Sequence, residues 1–350
     1  MRKFVLSVLT YILSFSAVNS NLPENFIPSK EEAAAMLMEA DNFLDSLPDG
    51  MQDRQADAIY HAIRGMSGEL DKIRENRNSS LPTPSEAVKV TDITGDEGAA
   101  GIKMRLYRPS NSTFSLPLLI YFHGGGWCFG SIASCSSFCE SLTSTGKAMV
   151  LAVEYSLAPE NPFPKAIDEC CASVMFASSN MINWNASSIS LGGDSAGGNL
   201  ALATALSMQD SEKFADSPAI KSLVLFYPVV KTYAAKSYSW KRYARGYGLN
   251  ARLMEAFNEA YNSSKEEALA SPIKADNEAL KKLPPILIVN AERDILLDQG
   301  KEFSDRLLSL GKDVTNVVFP GAVHLFITVK GQPTAFKKAI DLTASFLSSH

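Results

Sequence analysis

Apolar and polar positions change their period near residue 86, and that change divides the chain. Before it, apolar residues recur at helical spacing. Leu37, Ala40, Leu44 and Leu47 share one face of a helix, and Ser29 with Glu32 has the spacing of a capping box. Pro48-Asp49-Gly50 is a turn, after which Ile59, Ala62, Ile63, Met66 and Leu70 form the stripe of a second helix. The pattern predicts two amphipathic helices packed on a core within residues 29–80. Met36 and Met38 offer the adaptable apolar surface that a lid over a site needs.

After residue 86 the period becomes that of strands. Val88–Ile93 and Ile102–Tyr107 alternate around Gly95-Asp96-Glu97-Gly98, which predicts an antiparallel hairpin at a sheet edge. Four continuous apolar runs then read as buried strands: Leu116–Phe122, Ala148–Tyr155, Leu223–Pro228 and Ile286–Ala291, with Val314–Phe319 as the last strand. Helical patterns lie between them, one opening near Lys165 after a loop with three prolines, others over Gly300–Leu310 and Ala335–Leu347. Strands alternating with helices imply a largely parallel sheet in an α/β architecture. Between residues 230 and 275 the alternation stops. Tyr233, Tyr238, Trp240, Tyr243 and Tyr247 crowd together, and a helix with Leu253, Phe257 and Tyr261 opens at Asn250. This insertion is either surface packing or a second piece of a lid.

The beginning of the chain adds a targeting signal. Met1-Arg2-Lys3 precedes an apolar run, Phe4–Ala17, too short to span a bilayer comfortably, and Val18-Asn19-Ser20 has the small residues of a cleavage site after Ser20. Export to the periplasm or the exterior is expected, with an uncleaved N-terminal anchor as the alternative. Losing Arg2 and Lys3 takes the formal charge from −5 to −7, which leaves no electrostatic footprint for nucleic acid. No second apolar span follows, so no stable membrane span is expected after signal removal. Cys128, Cys135, Cys139, Cys170 and Cys171 have no metal-site spacing; an odd number leaves at least one thiol free, and disulfides stay open. The sequons at Asn78, Asn111, Asn185 and Asn262 matter only in a host that glycosylates.

The candidate chemistry centres on Ile189–Leu200, where an apolar run enters Gly193-Asp194-Ser195-Ala196-Gly197 and leaves as a helix with Leu200, Ala203 and Leu206 on one face. Glycines on both sides of a serine permit the sharp strand-to-helix turn that exposes a nucleophilic hydroxyl. Such a serine needs a base, a group that orients the base, and donors for an oxyanion. In this arrangement the acid and then the histidine follow the serine. Of the four histidines, His61 and His123 precede it and His350 ends the chain, which leaves His324 in a loop after the last strand. Asp294 lies just past a strand end, on the edge where α/β sheets bind ligands, whereas Asp298 is expected in the next helix and solvated, and Asp210 and Asp216 fall in a polar loop. His123-Gly124-Gly125-Gly126-Trp127, after the strand Leu116–Phe122, has the composition of an oxyanion loop whose N–H groups face that of Ala196. A phosphate-binding role lacks both the G-x-G-x-x-G spacing and a Walker lysine.

In combination, His123-Gly124-Gly125-Gly126-Trp127, Tyr155-Ser156-Leu157-Ala158-Pro159-Glu160, Gly193-Asp194-Ser195-Ala196-Gly197-Gly198-Asn199, Asp294 with Asp298, and His324 make residues 85–350 resemble the hormone-sensitive-lipase-like esterases of the α/β-hydrolase fold. The resemblance implies Ser195 as nucleophile, Asp294 as orienting acid, His324 as base, and Gly124, Gly125, Gly126 and Ala196 as the oxyanion region. It places Trp127 and Asp194 at the substrate pocket and gives His123 the task of holding the glycine loop. Two positions depart from the family: Ser156 stands where Arg is usual and Asn161 where His is frequent. The implied layout is a signal (1–20), a helical cap (21–85) and a catalytic domain (86–350) with a cap insertion at 230–275. The implied activity is hydrolysis of short- to medium-chain carboxylic esters without a metal or organic cofactor. The competing readings are a related hydrolase of acetylated saccharides, lactones or amides, and a non-catalytic binding member of the fold. Oligomeric state is not legible.

Overall fold

Period-2 alternation in the long apolar runs sends neighbouring side chains into two separate cores, one on each face of a single sheet. Leu118, Ile120 and Phe122 enter one, and Leu119 and Tyr121 the other. A computed structural model describes residues 26–65, 68–77, 81–210, 212–262, 264 and 266–350; the expected signal at 1–20 lies outside them. The helices and strands are, in order, α1 (Lys30–Ser46), α2 (Met51–Ile63), α3 (Leu70–Arg77), β1 (Val88–Thr94), β2 (Lys103–Pro109), β3 (Leu116–Phe122), α4 (Ile132–Ser144), β4 (Met149–Glu154), α5 (Lys165–Trp184), β5 (Ala186–Asp194), α6 (Ala196–Ser207), β6 (Ile220–Phe226), α7 (Tyr238–Arg242), α8 (Ala251–Tyr261), α9 (Asn277–Lys281), β7 (Ile286–Arg293), α10 (Leu297–Ser309), β8 (Val314–Val323) and α11 (Pro333–Ser349). The sheet order is β1-β2-β4-β3-β5-β6-β7-β8. β1 and β2 form the expected antiparallel edge hairpin, β2 joins β4 antiparallel, and every later pair is parallel. Helices α5, α6 and α10 supply one core, α4 and α11 the other.

Register sets the site. Phe122 pairs with Gly193, and Asp194 with Phe226. Arg293 pairs with Val323. The residues that follow these strand ends therefore emerge together on one edge of the sheet.

Three expectations change. The second N-terminal stripe does not continue through Leu70: α2 ends at Ile63, Gly65 takes a left-handed φ of 68°, and Leu70 opens α3. Glycine at 65 is a helix stop, and it outweighs the apolar spacing; Met66 lies outside the described residues. Pro320 and Gly321, expected in a loop, continue β8 to Val323, because an edge strand tolerates proline and the β7–β8 register slips by two residues between Ala291 and Arg293. Met36 is 1 % exposed within the core of α4 and α11, so it is no lid residue, whereas Met38 is 60 % exposed.

The N-terminal helices have separate duties. α1 packs along β8 and α11, with Glu32 paired to Lys338 at 3.0 Å and Glu39 accepting from the Thr334 N–H at 2.9 Å. α2 packs on α8: Gln52 accepts from the Gly248 N–H at 2.8 Å, Asp57 pairs with Arg252 at 2.9 Å, and Arg64 pairs with Glu259. All five cysteines are buried free thiols; Cys135 and Cys139 approach to 3.8 Å between sulfurs. No described helix is long and apolar enough to cross a membrane.

Candidate active site

The turn after β5 is tight enough that its glycines have no alternative. A Cβ on Gly197 would stand 1.9 Å from the Phe122 carbonyl oxygen, and one on Gly193 would stand 2.4 Å from the Gly197 carbonyl carbon. Between them Ser195 is held at φ 55°, ψ −117°, a conformation that L-residues adopt only when their surroundings impose it. Its N–H donates to the Phe226 carbonyl at 2.9 Å and its carbonyl accepts from Asn199 and Val229. The hydroxyl is thereby fixed at the sheet edge.

His324 leaves β8 with its ring 4.5 Å from that of Tyr227, centroid to centroid. Its Nε2 lies 3.1 Å from the Ser195 Oγ and its Nδ1 2.6 Å from Asp294 Oδ2. Asp294 Oδ1 accepts from the Leu296 N–H at 2.9 Å. A carboxylate only accepts, so Nδ1 carries the proton and Nε2 is free to take one from the serine. Ser195, His324 and Asp294 are 4 %, 2 % and 1 % exposed. Such a relay, shielded from water, can deprotonate a serine as it attacks an electrophilic carbon.

The glycine loop is built differently from its expected form. Gly124 donates its N–H to Asp194 Oδ1 at 3.0 Å, an oxygen that also accepts from the Tyr121 hydroxyl at 3.0 Å. Gly124 is therefore occupied and is not an oxyanion donor. The N–H groups of Gly125, Gly126 and Ala196 have no partner among the described residues. Asp194, expected at the substrate pocket, is fully buried and anchors the loop from behind. Burial raises its pKa, opposed by the Tyr121 hydroxyl and the Gly124 N–H. Trp127, also expected at the pocket, is 1 % exposed and stacked on Tyr261 with centroids 4.3 Å apart, so it supports the loop from the core. His123 does hold the loop: Nδ1 donates to the Gly124 carbonyl at 2.9 Å, its ring stacks on Tyr155, and burial lowers its pKa, which keeps the imidazole neutral.

Both departures in the proline loop are accommodated locally. Ser156 gives its N–H and hydroxyl to Glu169, at 2.6 and 2.8 Å. Asn161 donates to the Leu157 carbonyl at 3.4 Å. Asp298 does fall in α10, but it is half-buried and not solvated, because its Oδ2 accepts from the Ser239 N–H at 2.7 Å and ties the insertion to the Asp294 loop.

Contacts that no local sequence signal reports complete the surroundings. Asn199 donates to the carbonyls of Val229 and Ala270, both at 2.9 Å, locking the elbow helix to the insertion. The ring of Phe257, from α8, sits where a Cβ on Gly126 would be, and Gly248 lies against the His324 backbone. Arg74, from α3, reaches the carbonyls of Cys128 and Ala158. Their partners are more than 25 residues distant, beyond the reach of any periodicity. No cluster of metal-ligating side chains occurs among the described residues.

Comparison with known proteins bears on this geometry. The family described as alpha/beta hydrolase fold matches residues 119–328. The chain is similar to the carboxylesterase NlhH of Mycobacterium tuberculosis, 30% identical over 266 residues that cover 73% of this chain and 82% of that protein. It is also similar to an arylesterase of Saccharolobus solfataricus, 30% identical over 250 residues, 70% of this chain and 78% of the relative. Among solved structures, a thermostable esterase from Pseudomonas putida superposes with a TM-score of 0.77 at 26% identity, over 89% of this chain and 97% of that one.

Proposed function

Because the chain belongs to the α/β-hydrolase family, in its hormone-sensitive-lipase-like branch, we propose that it hydrolyses carboxylic esters by acyl transfer through Ser195, with His324 as base and Asp294 as the orienting acid. The observation that carries this reading is the continuous relay, 3.1 Å from hydroxyl to imidazole and 2.6 Å from imidazole to carboxylate. His324 takes the hydroxyl proton as Ser195 attacks the ester carbonyl, and the charge on the carbonyl oxygen is received by the N–H groups of Gly125, Gly126 and Ala196. His324 then protonates the departing alcohol. Water repeats the sequence on the acyl-enzyme and returns the serine.

The substrates are small-molecule esters of short to medium acyl chain. Phe257 seated on Gly126 and the near-closure of Ser195 favour a narrow acyl site. We assign the cap to α2 with the insertion that carries α8, on the strength of the polar ties between them. The test is hydrolysis of a p-nitrophenyl ester series, acetate to palmitate, by the protein and its Ser195→Ala variant. Turnover that peaks at short chains and vanishes in the variant is expected; substantial activity in a folded Ser195→Ala protein overturns the assignment.

Export is the second part of the proposal, supported by Met1-Arg2-Lys3 and the apolar run Phe4–Ala17. Sequencing the N-terminus of the protein recovered outside the cytoplasm should give Asn21 first; recovery of a chain starting at Met1 in the cytoplasm overturns it.

A further inference from the structure

Arg74, from α3, enters the machinery beneath the glycine loop and is held on every side. Its Nε donates to the Cys128 carbonyl at 2.9 Å and its Nη2 to the Ala158 carbonyl at 2.8 Å, while Glu160 grips the guanidinium from the other side at 2.9 and 2.8 Å. The side chain is 14 % exposed although it comes from a short surface helix. The two carbonyls belong to different loops. Cys128 lies two residues beyond Gly126, and Ala158 lies in the proline loop, whose own N–H donates to the Trp127 carbonyl at 2.9 Å. The guanidinium therefore closes the seam between the proline loop and the segment that carries the Gly125 and Gly126 N–H groups. A planar fork with five donors can serve two carbonyls and a carboxylate at once in a fixed geometry.

We propose that Arg74 is a positioning residue for the oxyanion site: by docking α3 onto both loops it sets the direction of the Gly125 and Gly126 N–H groups, so the N-terminal segment governs the chemical step as well as covering the site. This inference rests on the acyl-transfer reading above. Oxyanion donors act only if their direction is fixed before the reaction, and the loop that bears them has glycine at three successive positions, so its conformation must be imposed from outside.

The experiment compares wild type, Arg74→Ala and Arg74→Lys in kcat per active serine, counted by titration to completion with a fluorophosphonate. KM for a p-nitrophenyl ester and affinity for a trifluoromethyl ketone, whose adduct places an oxyanion at the site, are measured alongside. For Arg74→Ala the expected result is a fall of about tenfold in kcat per titrated serine, short of the ~10²–10³ that losing a whole donor costs. Ketone affinity should fall by a similar factor, with KM within about twofold. Arg74→Lys, which keeps the positive charge and three donors on one nitrogen but loses the planar fork, should lie between. A role confined to holding the fold would lower the number of titratable serines and leave kcat for each unchanged; that result in the alanine variant, or in the lysine variant if the alanine protein does not fold, overturns the proposal. Ser195→Ala is run beside them. Activity that survives its loss refutes the acyl-transfer reading itself, whereas serine-dependent activity indifferent to Arg74 refutes only this inference.

Discussion

A serine hydroxyl beside an imidazole is common in proteins; what distinguishes Ser195 is the backbone beneath it. Its positive φ stores strain of about 1–3 kcal/mol, held by Gly193 and Gly197 packing without side chains against each other and against Phe122. Behind the glycine loop, Asp194 illustrates a second cost. Its Oδ2 is buried without a partner among the described residues, and burial raises its pKa. The folded protein thus binds this proton more tightly than the unfolded chain. The contribution of Asp194 to stability is greatest below the unfolded-chain value and is lost as pH rises through the raised folded value. Asp194→Asn keeps an oxygen to accept from Gly124 and Tyr121 but cannot ionise. Urea unfolding from pH 4 to 7 should show the variant gaining stability relative to wild type as pH rises, about 1.4 kcal/mol for each pKa unit of the shift; parallel curves would mean that the carboxylate carries no such penalty. The glycines, Ser195 and His123 were legible because they fall in two short motifs, each contiguous in the chain. The bonds of Asp194 were not, since Tyr121 and Gly124 are 73 and 70 residues away.

At the scale of elements, the long β-strands and the helices between them followed from period and capping, and the errors fell where a second signal, local or from strand pairing, overrode the period. Gly65 stopped a helix that the apolar spacing would have continued, and pairing with β7 carried β8 through Pro320 and Gly321. α8 shows a signal that was sufficient. Asn250 caps it, accepting from the N–H of Arg252 at 2.9 Å and of Leu253 at 3.4 Å, while its Nδ2 donates to Asp53 of α2 at 3.3 Å. Asn250→Ala should cost about 1 kcal/mol in chemical denaturation. Asn250→Ser, which restores the cap but not the link to Asp53, should recover most of it; no recovery would assign the loss to the contact with α2.

Across the whole molecule, the N-terminal helices belong to the folded body. Met36 fills one core, Ile59 and Ile63 extend the other, and each buried side chain of this size contributes about 1.5–3 kcal/mol. Removing residues 1–77 should leave a protein that binds a hydrophobic dye, is poorly soluble and has no esterase activity; a monomeric, active truncation would show that these helices are dispensable. The sequence by itself determined the α/β class and the order of the strands along the chain, because local period carries that information over a few residues, and it nominated Ser195 by its motif and Asp294 and His324 by chain order and elimination. Tertiary structure alone decided that Gly124 is spent on Asp194 and that Trp127 is core. It alone brought Phe257 and Arg74 from distant segments to the site, and carried Val229 and Ala270 to Asn199. The physical reason is range: periodicity reports which face of an element is apolar, whereas a hydrogen bond between groups 50 or 80 residues apart exists only once strand register and helix packing have brought their backbones together.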